Sequence, residues 1–130
     1  MINASEYPCP CCGHLVFSQP PGYHQVCPIC NWEDDLCQLR FPLMPGSANR
    51  VSLLSAQKNY SEYGASERHK LDSVRPPDDA DRHECDWRPL DRAIDNPEEP
   101  QRGIDYAISY PQDTTVLYYW RETYWRRVVA

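Results

Sequence analysis

The chain has 130 residues, 19 acids against 13 bases for a net charge of −6, 13 prolines against five glycines, and seven cysteines. This length suits one domain with a modest core, and no apolar run approaches the ~20 residues that cross a bilayer, so a membrane span is excluded. The acidic balance counts against a phosphate-backbone partner.

The first element is a repeated pattern. Cys9-Pro10-Cys11-Cys12-Gly13 and Cys27-Pro28-Ile29-Cys30 each read as half of a tetrahedral zinc site, because four thiolates about 2.3 Å from one ion must converge on a small sphere. Proline fixes one backbone angle of the first turn, and Gly13 can leave it at positive φ. Between the two turns, the apolar and β-prone runs His14–Phe17 and Tyr23–Val26 flank the turn signal Gln19-Pro20-Pro21-Gly22, which predicts a hairpin. Knuckle, hairpin, knuckle is the layout of a zinc ribbon, and it predicts one structural zinc on Cys9, Cys12, Cys27 and Cys30. Cys11 can take the place of Cys12, although Cys12 has the two-residue gap and precedes Gly13. Four thiolates fill the coordination sphere, which disfavours catalysis at the metal. Disulfides and a redox pair are the alternatives. The chain starts without a basic, apolar leader, which predicts a cytoplasmic location where thiols stay reduced, and a redox centre needs only one pair at the head of a helix. Cys37 and Cys85 read as small buried hydrophobes.

After the second knuckle, Trp32 is expected to pack over the ribbon, and Glu33-Asp34-Asp35 to form a solvated acidic edge with too few converging oxygens for calcium. Residues 52–63 form the clearest helix, with Ser52 as its cap, Gly64 at its end, and Leu53, Ala56, Tyr60 and Tyr63 along one side. From Arg75 to Gln101 the sequence is acidic and broken by prolines, with Trp87 and Leu90 as anchors and a short helical turn near Leu90 to Ile94. His83-Glu84-Cys85 looks like a catalytic dyad, but chain neighbours seldom face each other and no group is there to orient the histidine. For 114–128 the spacing of Val116, Trp120 and Tyr124 predicts a helix, while the β-branched and aromatic content favours a strand through Trp120.

The charge is unevenly spread: residues 1–77 hold seven acids and six bases, residues 78–105 ten acids and four arginines, and residues 106–130 two acids and three arginines. Such an acidic stretch suits a basic protein partner. Asp78, Asp79, Asp81, Glu84 and Asp86, with Trp87 as an aromatic anchor, are the partner-binding candidates.

Residues 9–77 resemble the cysteine-rich CPCC family of small bacterial proteins. The matching elements are the two knuckles, Trp32-Glu33-Asp34-Asp35, Gly46–Asn49, Val51–Tyr60, Tyr63–Ser66 and Arg75-Pro76-Pro77. The resemblance implies no enzyme activity. It implies an immunity role, because members are similar in context to genes found beside bacterial toxins.

The expectation is therefore a small α+β protein with an N-terminal zinc ribbon packed on one or two helices and a proline-rich, coil-rich remainder. It is one domain, 1–130, with a ribbon subdomain at 1–40, the helix of the family core at 41–77, and an acidic segment with an aromatic C-terminal element at 78–130. The expected function is non-enzymatic neutralisation of a cognate toxin domain, with no nucleic-acid or membrane partner. The rivals are a nucleic-acid-associated zinc-ribbon regulator and a thiol- or metal-dependent hydrolase using Cys37, Cys85 or His83.

Overall fold

The computed structural model describes residues 7–127. Strands β1 (Tyr7–Pro8) and β2 (Leu15–Phe17) form an antiparallel hairpin, with Tyr7 opposite Phe17 and Pro8 opposite Leu15. Helices α1 (Leu36–Arg40) and α2 (Leu53–Tyr63) follow, then 3-10 turns at Arg68–Ser73 and Thr114–Leu117. No helix among the described residues is long and apolar enough to cross a membrane.

The hairpin thus encloses the first knuckle, and Tyr23–Val26 is not its second strand. The backbone N–H groups of Gly22, Tyr23 and His24 all donate to one carboxylate oxygen of Asp34, at 2.8, 2.9 and 3.1 Å, and His24 has φ +60°. A chain bent around a carboxylate cannot present an extended ladder edge. Val26 alone makes a bridge, with Glu33.

This geometry also overturns the solvated acidic edge. Asp34 and Asp35 are buried, which is stable only because each carboxylate accepts from backbone N–H groups. Asp35 caps α1, accepting from the N–H groups of Cys37 (2.8 Å) and Gln38 (3.2 Å), and its other oxygen accepts from Ala48 at 2.7 Å. Within α1, Gln38 is fully buried; its amide donates to the carbonyls of Met44, Asn49 and Val51 and accepts from Asn49. Asn49 in turn exchanges hydrogen bonds with both main-chain groups of Glu33. Loop 44–51, without regular structure, is thereby fastened to the chain just past the second knuckle.

Helix α2 follows its sequence closely. The Ser52 hydroxyl accepts from Ser55 N–H at 3.1 Å, and Gly64 ends the helix at φ +86°, a left-handed angle that other residues adopt at a cost. Leu53 and Ala56 are fully buried, Tyr60 packs against the same core, and Tyr63 is half-buried beneath Arg68. Trp32 is buried among the cysteines, Ile29 and Leu53 in one continuous core.

The C-terminal region joins that core without the expected helix. From the last residue of the 3-10 turn onward, Leu117, Tyr118, Tyr119 and Trp120 are all buried. Four consecutive buried residues point in all directions around a helix axis, so the segment runs as successive turns that other chain wraps from several sides. The carbonyls of Tyr119 and Arg121 accept from the Arg127 guanidinium instead of from a helical ladder. The end of the predicted helix, residue 128, lies outside the described residues. Leu90 is buried as expected, and the short turn after it closes through Ile94 N–H and Asp95 N–H onto Asp91 carbonyl.

Arg40 clamps this C-terminal part to α1. Its buried guanidinium pairs with Glu98 at 3.0 Å and lies 4.6–5.0 Å from the ring centroids of Phe41, Tyr106, Tyr110 and Trp125. Cys37 and Cys85 are exposed, correcting their expected burial. Cys37 occupies the outer side of α1 and its sulfur accepts from the Tyr110 hydroxyl at 3.3 Å, while Cys85 lies on an irregular surface strap.

Candidate metal centre

The two knuckles are near copies displaced by 18 residues. In the first, Cys9 N–H donates to His14 carbonyl (2.9 Å) and Gly13 N–H to Cys9 carbonyl (2.7 Å). In the second, Cys27 N–H donates to Trp32 carbonyl and Asn31 N–H to Cys27 carbonyl, both at 2.9 Å. Each turn leaves through a left-handed residue, Gly13 at φ +81° and Asn31 at φ +64°. Glycine and asparagine are the residues that visit this region most readily. Ile29 N–H also points at Cys27 Sγ, 3.4 Å away.

This repeat brings four buried sulfurs together. The ligand atoms of Cys9, Cys12, Cys27 and Cys30 all lie within 4.8 Å of one another. Two close contacts cross between the knuckles, Cys9–Cys30 at 3.6 Å and Cys12–Cys27 at 3.7 Å. Four sulfurs about 2.3 Å from one ion have tetrahedral edges of about 3.8 Å, so the spacing fits a metal ion and the donor set fits a thiophilic one. All seven cysteines are unbridged. The tetrad contains Cys12, and Cys11, also fully buried, stands outside it.

Burial and crowding move Cys9, Cys12 and Cys30 in different directions. Burial drives Cys9 and Cys30 well above the ordinary thiol value. Cys12 goes well below it, because Cys27, Cys30 and Cys9 can all donate S–H to its thiolate. Thiolates crowded into this dry site require a compensating cation. Burial also raises Cys11.

A strap from the acidic segment covers the first knuckle. Leu15 N–H donates to Arg82 carbonyl (2.8 Å), Glu84 N–H to Gly13 carbonyl (2.9 Å), and Trp87 Nε1 to Pro10 carbonyl (3.0 Å). His83 Nε2 lies 3.0 Å from Cys12 carbonyl. Helix α2 contributes Gln57, whose amide donates to Pro10 carbonyl and to Tyr119 hydroxyl, both at 2.9 Å, and accepts from Leu90 N–H. An ideal Cβ on Gly13 would sit 2.6 Å from both His83 Nε2 and Trp87 Cδ2, so only glycine admits the strap at this distance.

Among the partner-binding candidates, Asp78, Asp79 and Asp86 are exposed. Asp81 makes a bidentate pair with Arg75, at 2.6 and 2.8 Å, and this guanidinium draws its carboxyl below the usual carboxylate range. Glu84 is held by Arg121 and by Trp120 Nε1. Trp87 is half-buried against the core. Sequence reasoning passed over Gln57 and Asn31; the repeat itself marks Asn31, since it occupies the place of Gly13, but no local signal marks Gln57.

No curated protein matches the chain. The family model described as cysteine-rich CPCC matches residues 7–81. That span starts at the hairpin, contains both knuckles and α2, and ends at the Asp81 pair, so the chain belongs to the cysteine-rich CPCC family.

Proposed function

We propose that this protein is a non-enzymatic immunity protein, which neutralises a cognate toxin domain by binding it and is held rigid by one structural Zn2+ on Cys9, Cys12, Cys27 and Cys30. The observation that carries the reading is the attachment of the acidic strap to the first cysteine knuckle through Arg82, Glu84 and Trp87. A bound ion would fix that knuckle, and the knuckle would fix the loop presenting Asp78, Asp79 and Asp86. A rigid face of one charge sign speeds encounter with a basic partner and lowers the ordering cost of binding. A four-thiolate ion has no open coordination position, which suits a scaffold and not a hydrolytic centre.

The test is affinity capture with the product of the adjacent gene, using the full chain and a variant carrying Asp78→Lys, Asp79→Lys and Asp86→Lys. Capture by the native chain, weakened at least tenfold in the variant and accompanied by protection of cells expressing that product, supports the reading. Tight, salt-sensitive RNA or DNA binding with no capture of the neighbour replaces it with the regulator.

A further inference from the structure

The repeat of the two knuckles extends to what holds them from outside. In the second, the carbonyls of Pro28, Cys30 and Asn31 accept from Arg75 N–H (3.2 Å), Ser66 N–H (2.8 Å) and the Lys70 ammonium (3.0 Å). Their counterparts in the first are the carbonyls of Pro10, Cys12 and Gly13. Those of Cys12 and Gly13 meet His83 Nε2 and Glu84 N–H. The Pro10 carbonyl takes two side-chain donors, Gln57 Nε2 at 2.9 Å and Trp87 Nε1 at 3.0 Å.

Peptide geometry carries such a contact through to the sulfur side. A trans peptide sets its C=O and N–H on opposite sides, and none of the described peptides is cis. In the second knuckle a single peptide shows both ends: Arg75 N–H holds the Pro28 carbonyl, while Ile29 N–H, across the same plane, points at Cys27 Sγ. Holding the Pro10 carbonyl therefore keeps the N–H of Cys11, the counterpart of Ile29, turned away from the roof. Gln57 is buried and both of its N–H donors are used, one on Pro10 and one on the Tyr119 hydroxyl, while its oxygen accepts from Leu90 N–H. The amide cannot flip, since its oxygen would then face the Pro10 carbonyl and its NH2 group the Leu90 N–H.

We propose that Gln57 is a positioning residue for the metal centre: by donating to the Pro10 carbonyl it fixes the Pro10–Cys11 peptide, and with it the direction from which the Cys9 and Cys12 sulfurs meet a bound divalent cation. This inference rests on the metal reading above. A thiolate whose backbone cannot swing has less freedom to leave the ion, and outer partners of metal ligands typically govern affinity by about 10–100-fold.

The experiment uses the full chain loaded with Co2+, whose sulfur-to-metal charge-transfer band reports thiolate geometry, and with Zn2+ challenged by a chromogenic chelator. Gln57→Met removes the donor without adding charge, and Gln57→Glu removes it while keeping the acceptor for Leu90. Tyr119→Phe is the control: it breaks the bonds of that hydroxyl to Gln57 and to Arg88 carbonyl but leaves Pro10 held. We expect both Gln57 variants to shift the band and to release zinc at least about tenfold faster, with Tyr119→Phe close to the native chain in both. A native band and release rate in Gln57→Met would overturn the proposal, as would Tyr119→Phe matching the Gln57 variants. Global unfolding of both Gln57 variants would also overturn it, making Gln57 a residue of the fold and not of the centre. If the native chain itself develops no band, the metal reading falls and this inference falls with it, whereas a native band that neither Gln57 variant moves sinks this inference alone.

Discussion

Trp87 donates its indole N–H to the carbonyl of Pro10, 77 positions earlier in the chain, inside the first Cys-Pro turn. That bond ties the acidic segment, the most charged part of the sequence, directly to the backbone beside two of the four clustered sulfurs. The order of one therefore depends on the other.

Removing a ligand pair should show this dependence. Cys9→Ser with Cys12→Ser should lose one zinc by native mass spectrometry, and the ribbon should unfold, because a structural zinc contributes on the order of 10 kcal/mol of apparent folding free energy. Amide exchange should rise along the strap at Arg82 to Trp87 as well as in the knuckles. Protection unchanged at Glu84, whose N–H is bound to Gly13, would separate the two regions.

Gly13→Ala should destabilise the protein by about 2 kcal/mol or more in urea unfolding. Two costs add: a left-handed backbone angle disfavoured by about 1–2 kcal/mol for a residue with a Cβ, and a Cβ within 2.6 Å of the Trp87 and His83 rings. Asn31→Ala, in the equivalent angle of the second knuckle, replaces a residue that already carries a Cβ there and should lose less. A loss for Gly13→Ala no larger than the about 1–2 kcal/mol of the backbone angle would argue that the strap yields freely.

Arg40→Met should lower stability by about 3–5 kcal/mol, the usual loss when one partner of a buried ion pair is removed. Glu98 would lose its partner, and the Phe41, Tyr106, Tyr110 and Trp125 rings would lose the cation they face. Trp125 emission should shift to longer wavelength. Arg40→Lys should recover the charge and little of the planar stacking.

The acid limb of stability should contain a contribution from Asp81. Its folded pKa is depressed by Arg75 and by Asp78 N–H. It therefore favours the folded state above the unfolded value of about 3.9, and that contribution is lost as pH falls through the lower folded value. Asp81→Asn should flatten the limb below pH ~4 and leave stability near neutrality less dependent on acid. Identical profiles for the two proteins would show that the pair is as well solvated folded as unfolded.

Local chemistry explains what was legible in the sequence. Cys-Pro-x-Cys turns and the Ser52 to Gly64 helix carry their own caps and stops, so the four clustered cysteines and α2 follow from a few adjacent residues. The burial of Asp34 and Asp35 does not, since it depends on N–H groups supplied by Gly22 to His24 and by Ala48. A run of acids looks solvated until the donors are known. The strand pairing was misread for a related reason: Tyr23–Val26 has β-prone side chains, but its N–H groups turn inward onto Asp34. For the C-terminus, residues 117–120 satisfy helix and strand patterns alike, and only packing on several sides at once decides against both. Helix α1 was readable in retrospect from Asp35, a capping residue before Leu-Cys-Gln-Leu-Arg.

The sulfur pairs close across 21 and 15 positions, whereas the groups that roof the first knuckle, Gln57 and Trp87, lie 47 and 77 positions beyond Pro10. A growing polypeptide accordingly completes its four-cysteine set long before it can build the lid above it. For an ion held there, capture and enclosure would be separate events in time, the first open to the surrounding solution and the second not. Once the lid is down, exchange of such an ion would wait on local opening of the strap, so Trp87→Ala should hasten loss to a chelator even though residue 87 lies outside the cysteine cluster.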